Sequence, residues 1–120
     1  MMVVEDEALI ALDLEDVFRD AAYDVTGPYP SCGDALASLK IALPDVAVLD
    51  ATLRDGPCLD LARELRRLGV PFLIYSGRDA FEEQPPELEG VPWIEKPSRL
   101  ELVIRTAAEL IADRNGRKPG

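Results

Sequence analysis

Residues 46–56 read VAVLDATLRDG: four consecutive apolar side chains stop at a carboxylate, Asp50, and give way to a stretch that ends in glycine. A strand with one wet face alternates apolar and polar residues. An unbroken apolar run of this length belongs instead to a strand covered on both sides, as in a parallel sheet. FLIY within residues 70–75 has the same character, and shorter runs recur at 1–4, 24–26 and 91–94. Five strands are predicted.

Between them the apolar spacing changes to the helical period. Within 8–22, Ile10, Leu14, Val17, Phe18 and Ala21 share one face, while Glu15, Asp16, Arg19 and Asp20 lie elsewhere. A second helix is expected from Ser31, whose hydroxyl can cap the N-terminus with Asp34 reaching back, to just before Pro44. A third runs from about Pro57, suited to a first turn, to a stop at Gly69. The last spans about 98–113, with Leu100, Val103, Ile104, Ala107, Leu110 and Ile111 as its buried stripe, and Asn115 and Gly116 beyond it. Residues 78–90 break the alternation. Pro85 and Pro86 interrupt any helix and Glu82, Glu83, Glu87 and Glu89 crowd negative charge, so a loop with at most a short helical turn is expected. Strands alternating with helices specify an α/β fold, a doubly wound five-stranded parallel sheet. One domain is expected over 1–113, followed by a flexible basic tail at 114–120.

Thirteen Lys and Arg against twenty-three Asp and Glu leave a net charge of −10, which repels phosphate backbones and anionic lipid, so neither nucleic acid nor membrane is an expected partner. The chain has no histidine. That excludes His-based acid–base chemistry and Ser-His-Asp or Cys-His nucleophiles, and leaves a zinc site short of ligands. Cys32 and Cys58 lack CxxC spacing and read as small apolar fillers in a reducing compartment. No leader pattern and no run near the roughly 18 apolar residues of a membrane span is present, and a cytoplasmic location is expected.

In an open parallel sheet, ligands bind outside the carboxyl ends of the strands. Those ends carry Glu5, Asp6 and Glu7 after the first, Asp50 after the third, Ser76 and Gly77 after the fourth, and Lys96 and Pro97 after the fifth. Two carboxylates 4 Å apart repel by roughly 4 kcal/mol at an effective dielectric near 20, so the cluster needs a cation. Oxygen donors select Mg²⁺, which keeps several waters and recruits phosphate oxygens.

Four motifs at those ends, VVEDE at 3–7, VLDATLRDG at 48–56, YSG at 75–77 and EKP at 95–97, occur in an order and spacing that resemble bacterial two-component response-regulator receiver domains over about 1–113. The resemblance implies a flavodoxin-like strand order, 2-1-3-4-5, here with the fourth helix shortened or replaced by the 78–90 loop. It implies Asp50 as phosphoacceptor and Mg²⁺ held by Glu5, Asp6, Asp50 and the backbone carbonyl of Thr52. Ser76 matches the hydroxyl that reports on the phosphoryl group, Lys96 the cation that pairs with it, and Trp93 an aromatic that moves inward with Ser76. A cis Lys96-Pro97 peptide would aim Lys96 at the site. The implied function is a non-enzymatic switch. Asp50 would take its phosphoryl group from a sensor histidine kinase or a histidine phosphotransfer protein, and the chain would assist its own phosphorylation and dephosphorylation. A stand-alone receiver would then act as shuttle, sink or regulator by protein contact. Leu9 and Leu12 on the first helix match the surface where receivers meet their kinase, and Leu102 is a further apolar residue off the buried stripe. PFLIYSG at 71–77 is similar to a branch of stand-alone receivers with PF-x-x-x-[ST]-G and shortened loops.

Two departures stand out: Arg54 occupies a position usually held by proline, and residues 78–90 lack a helical pattern. Each site residue also has a plainer role when taken alone. Glu5, Asp6 and Glu7 suit a helix N-terminus, Asp50 a turn, Lys96 a solvated surface, Trp93 the core and Ser76 a cap. Their shared register favours a site. The alternatives are a degenerate receiver that binds partners without phosphorylation, and an Mg²⁺-dependent phosphohydrolase with an aspartyl-phosphate intermediate. The latter places a second aspartate two residues after the nucleophile, where this chain has Thr52.

Overall fold

A computed structural model describes residues 1–51, 59–77 and 85–116. Five strands, β1 (Met2–Val4), β2 (Thr26–Tyr29), β3 (Ala47–Leu49), β4 (Phe72–Ser76) and β5 (Trp93–Glu95), form one parallel sheet of order β2-β1-β3-β4-β5. Successive side chains on a strand point to opposite faces, so each apolar strand feeds two cores. Met2, Val4, Ala47, Leu49, Phe72 and Ile74 line one face; Val3, Val48, Leu73, Tyr75 and Ile94 line the other. This is the physical meaning of VAVL and FLIY having no polar member.

Four α-helices among the described residues cover the two faces: α1 (Ala8–Asp20) and α4 (Leu100–Gly116) on one, α2 (Cys32–Leu39) and α3 (Leu59–Arg67) on the other. Helix α1 buries Ala11, Leu14 and Phe18, whereas Ala21, expected on the stripe, lies past the helix end and is exposed. Ala22 takes a left-handed turn at φ 70°, and the Tyr23 N–H closes the helix onto the Phe18 carbonyl at 3.0 Å. Ser31 caps α2 by accepting from the Asp34 N–H at 3.2 Å, yet the helix stops at Leu39 instead of reaching Pro44, leaving Ile41 and Leu43 exposed. Gly69 ends the turn after α3 at φ 73°, where a side chain would be strained. Helix α4 buries Val103 and Ala107 and runs to Gly116, three residues past the expected end at Asp113. The rest of the expected tail, residues 117–120, lies outside the described residues.

The weakest prediction was β2, which forms at Thr26–Tyr29 and not at 24–26. Its Gly27 and Pro28 read as a turn in sequence. At the edge of a sheet, however, a proline forfeits no necessary ladder bond. Gly27 sits at φ 92°, and a Cβ there would come within 2.8 Å of the Val3 carbonyl oxygen, so β2 can approach β1 only as glycine.

Of the expected 78–90 loop, residues 78–84 lie outside the described residues, and the remainder contains one 3₁₀ turn, Pro86–Leu88. Leu88 is buried in the α2–α3 core. Arg63 and Arg66 of α3 hold the turn from outside: Arg63 pairs with Glu87 at 3.0 Å, and Arg66 donates to the main-chain carbonyls of Glu87 and Glu89. Cys32 is disulfide-bonded, which corrects the expectation that it is a small apolar filler. Disulfide partners are chosen by tertiary approach and not by spacing along the chain, so no local pattern marks them. Cys58, read in the same way, lies outside the described residues, as do Thr52 and Arg54. No helix of the described residues is long and apolar enough to cross a membrane.

Candidate functional site

The sheet ladder carries its pairing one step past the strands. The Glu5 N–H donates to the Tyr29 carbonyl, the Asp50 N–H to the Val4 carbonyl and the Lys96 N–H to the Ser76 carbonyl, each at 2.9 Å. These bonds fix the backbone of the residues that follow β1, β3 and β5, and so converge their side chains on one edge. Glu5, Asp50 and Ser76 are the buried polar residues among those described, each at most 3 % exposed.

Asp50 is engaged through both carboxylate oxygens. Ser76 Oγ donates to Oδ1 at 2.9 Å and Lys96 Nζ donates to Oδ2 at 3.2 Å. The ammonium makes its shorter contact, 2.6 Å, with Glu5 Oε1, while Glu5 Oε2 accepts from the Glu7 N–H at 3.2 Å. Lys96 also lies over the ring of Tyr75, 5.5 Å from its centre. The peptide following Lys96, to Pro97, is cis, as expected.

Burial is the main reason that the Glu5 carboxyl is pushed up, to about 7; the neighbouring Asp50 adds to it, and Lys96 and the Glu7 N–H pull the other way. Desolvation works to lower the Lys96 ammonium, but Glu5 and Asp50 outweigh it and raise it above the ordinary lysine value. One internal cation therefore offsets only part of the cost of burying Glu5 beside a second carboxylate.

Carboxylate oxygens of Glu5, Asp6 and Asp50 lie within 4.8 Å of one another. Three hard oxygen donors so close together suit a small divalent cation such as Mg²⁺, which takes one or two carboxylates directly and fills its remaining positions with water. The structure thus brings together Glu5, Asp6, Asp50, Ser76 and Lys96 from four strand ends. Trp93 lies apart from this cluster: it is half-buried on β5, paired in register with Ile74 and packed against the α2–α3 core. Tyr75 is the neighbour that sequence reasoning overlooked. Its signal was parity, since Tyr75 pairs with Ile94, two residues before Lys96, and so shares a face of the sheet with both.

The chain is 32 % identical over 111 residues to the probable transcriptional regulatory protein TcrX of Mycobacterium tuberculosis (strain ATCC 25618 / H37Rv), covering 87 % of this chain and 46 % of TcrX. It is 28 % identical over 120 residues to the transcriptional regulatory protein PdtaR of M. tuberculosis (strain CDC 1551 / Oshkosh), covering 95 % of this chain and 57 % of PdtaR. The CheY-like response-regulator receiver domain protein of Methanospirillum hungatei JF-1 superposes with a TM-score of 0.82 at 19 % identity, over 97 % of this chain and 96 % of that one. The chain belongs to the response-regulator receiver family. No family model matches it. The receiver domain spans about half the length of the curated relatives it matches. Its five-stranded order, 2-1-3-4-5, is that of its CheY-like neighbours.

Proposed function

We propose that this receiver domain is a phosphoacceptor switch in which Asp50 takes a phosphoryl group from the phosphohistidine of a kinase or phosphotransfer protein. The observation that carries this reading is the arrangement around Asp50, a buried carboxylate with a hydroxyl on one oxygen and an ammonium on the other. Phosphoryl transfer asks little covalent chemistry of the protein; it asks for positioning, and for neutralisation of charge on the transferring oxygens. A carboxylate held in one orientation is a workable nucleophile under those conditions. Mg²⁺ held by Glu5, Asp6 and Asp50 would supply charge neutralisation on the phosphoryl oxygens. Lys96 is already in reach of the same oxygens, and its ammonium would exchange the Asp50 carboxylate for the phosphoryl group attached to it. Ser76 would follow, donating to a phosphoryl oxygen in place of Oδ1. Each of these moves is short, and that of Ser76 at the end of β4 opens space next to β5. Half-buried Trp93, in register with Ile74 two residues before Ser76, would be the side chain to fill it.

Beryllofluoride, a phosphoryl mimic, tests the reading. Added with Mg²⁺, it is expected to change the emission of Trp93, the single tryptophan, in the parent chain and to leave Asp50→Asn silent. A parent chain without a response, or a response that persists in Asp50→Asn, would overturn it. Turnover of small phosphate esters would mark a hydrolase instead.

A further inference from the structure

We infer that Tyr75 is a positioning residue for the Lys96 ammonium, holding it at the site when its carboxylate partners are engaged elsewhere. The inference deepens the phosphoacceptor reading and rests on it. Among the described residues, Lys96 meets Glu5 at 2.6 Å, Asp50 at 3.2 Å and the Tyr75 ring at 5.5 Å from its centre. The first two belong to the oxygen cluster suited to a divalent cation, and Asp50 is also the proposed acceptor. Whatever neutralises those oxygens weakens their hold on Lys96. The ring does not compete for the same ligand. Its negative face attracts a cation through the aromatic quadrupole, an interaction that strengthens when water is excluded.

Tyr75 is also fixed in place. It is 5 % exposed, packs in the core between the sheet and the α1–α4 pair, and shares a face of the sheet with Ile94 and Lys96. Its hydroxyl meets the main chain of Ser98 from both directions, donating to the carbonyl at 3.4 Å and accepting from the N–H at 3.5 Å. A single buried phenol thus touches both ends of the Lys96-Pro97-Ser98 turn, the ring beneath the ammonium and the hydroxyl on the backbone two residues later. A leucine would keep an apolar side chain in the core. Only an aromatic ring offers the cation a face.

The test is a double-substitution cycle in urea with EDTA present, using the parent chain, Tyr75→Leu, Lys96→Met and the pair. Tyr75→Leu is expected to shift the unfolding equilibrium constant roughly three- to tenfold more when Lys96 is present than in the Lys96→Met background. Additive effects would mean that Tyr75 is only a core residue and would overturn the inference. Tyr75→Phe, and the same substitution made with a trifluorinated phenylalanine, keep the ring's shape and guard against misfolding. Beryllofluoride affinity, read at Trp93, should stay within about twofold of the parent for the first and fall roughly three- to tenfold for the second, whose ring face is no longer negative. Equal affinities would sink the proposal. A parent chain silent to beryllofluoride would defeat the phosphoacceptor reading, and the urea cycle would still decide whether Tyr75 and Lys96 are coupled.

Discussion

Substituting Glu5 with glutamine isolates the cost of burying a carboxylate at the site. The Glu5 side chain is 1 % exposed and its carboxyl titrates near 7 in the fold, against 4.5 when unfolded. A raised carboxyl binds its proton more tightly in the folded state, so its contribution is fully present below pH 4.5 and is lost as pH climbs through 7. The difference of about 2.5 pK units corresponds to about 3 kcal/mol. For a domain of this size that is a fall of roughly 10 °C in melting temperature between pH 4.5 and pH 7.5. The window is unusually clean because the chain has no histidine. The Met1 amino group, lowered by burial, contributes with the opposite sign, and that contribution is common to both proteins. Glutamine keeps the side-chain volume and one acceptor oxygen, enough for Lys96 Nζ or for the Glu7 N–H in their present places but not for both. Urea unfolding in EDTA should therefore show the parent chain losing about 3 kcal/mol over this range and Glu5→Gln nearly flat. Saturating Mg²⁺ should remove most of the parent's loss, since a ligand that binds only the folded state stabilises it. Parallel pH profiles for the two proteins in EDTA would show that burying the Glu5 carboxylate carries no such cost.

Ser76→Ala removes a donor from a buried carboxylate and should cost about 1–3 kcal/mol in urea unfolding, whereas Ser76→Thr, which keeps the hydroxyl, should cost less than about 1 kcal/mol. Gly27→Ala forces a left-handed backbone on a residue with a Cβ and drives that carbon into the Val3 carbonyl oxygen. Its expected cost exceeds about 2 kcal/mol, and a thermal melt that matches the parent would show β2 able to slide away from β1.

Most of the fold was legible because burial on two faces leaves a mark that needs no tertiary knowledge. Val46 to Leu49 and Phe72 to Tyr75 are apolar at every position, and the α4 stripe from Leu100 to Ile111 keeps its helical period. The edge strand β2 was not legible in the same way. One side of it is open, so it tolerates Gly27 and Pro28, the residues that mark turns elsewhere. The early end of α2 was hidden because Ile41 and Leu43 continue an apolar pattern without being buried. The docking of Pro86–Leu88 beneath Arg63 and Arg66 depends on residues more than twenty positions apart, which no local pattern reports. At the site, Glu5, Asp6, Asp50, Ser76 and Lys96 were found because each stands at the end of a recognisable strand. The Tyr75–Lys96 contact was missed because a tyrosine in an apolar strand looks like any other core residue.

On the phosphoacceptor reading, the unequal contacts of Lys96 have a consequence for how Asp50 is freed to react. Each oxygen of the unmodified carboxylate accepts a hydrogen bond, Oδ1 from Ser76 and Oδ2 from Lys96, which draws electron density from both, so loosening either bond would make that oxygen the better nucleophile. Lys96 is anchored chiefly by Glu5 at 2.6 Å and reaches Asp50 only at 3.2 Å. Its contact with Oδ2 can therefore break while the ammonium stays within reach of the incoming phosphoryl oxygens. Were the two distances reversed, freeing Asp50 would carry the cation out of position at the moment its charge is needed. Among the described residues Ser76 has no second side-chain anchor of this kind, and loosening its bond to Oδ1 would leave the buried carboxylate without its hydroxyl donor before any phosphoryl oxygen had arrived to accept from it. On that reading release would come at Oδ2 first, with Ser76 moving after transfer, so that the hydroxyl would respond to the modified aspartate and not to the approach of the donor.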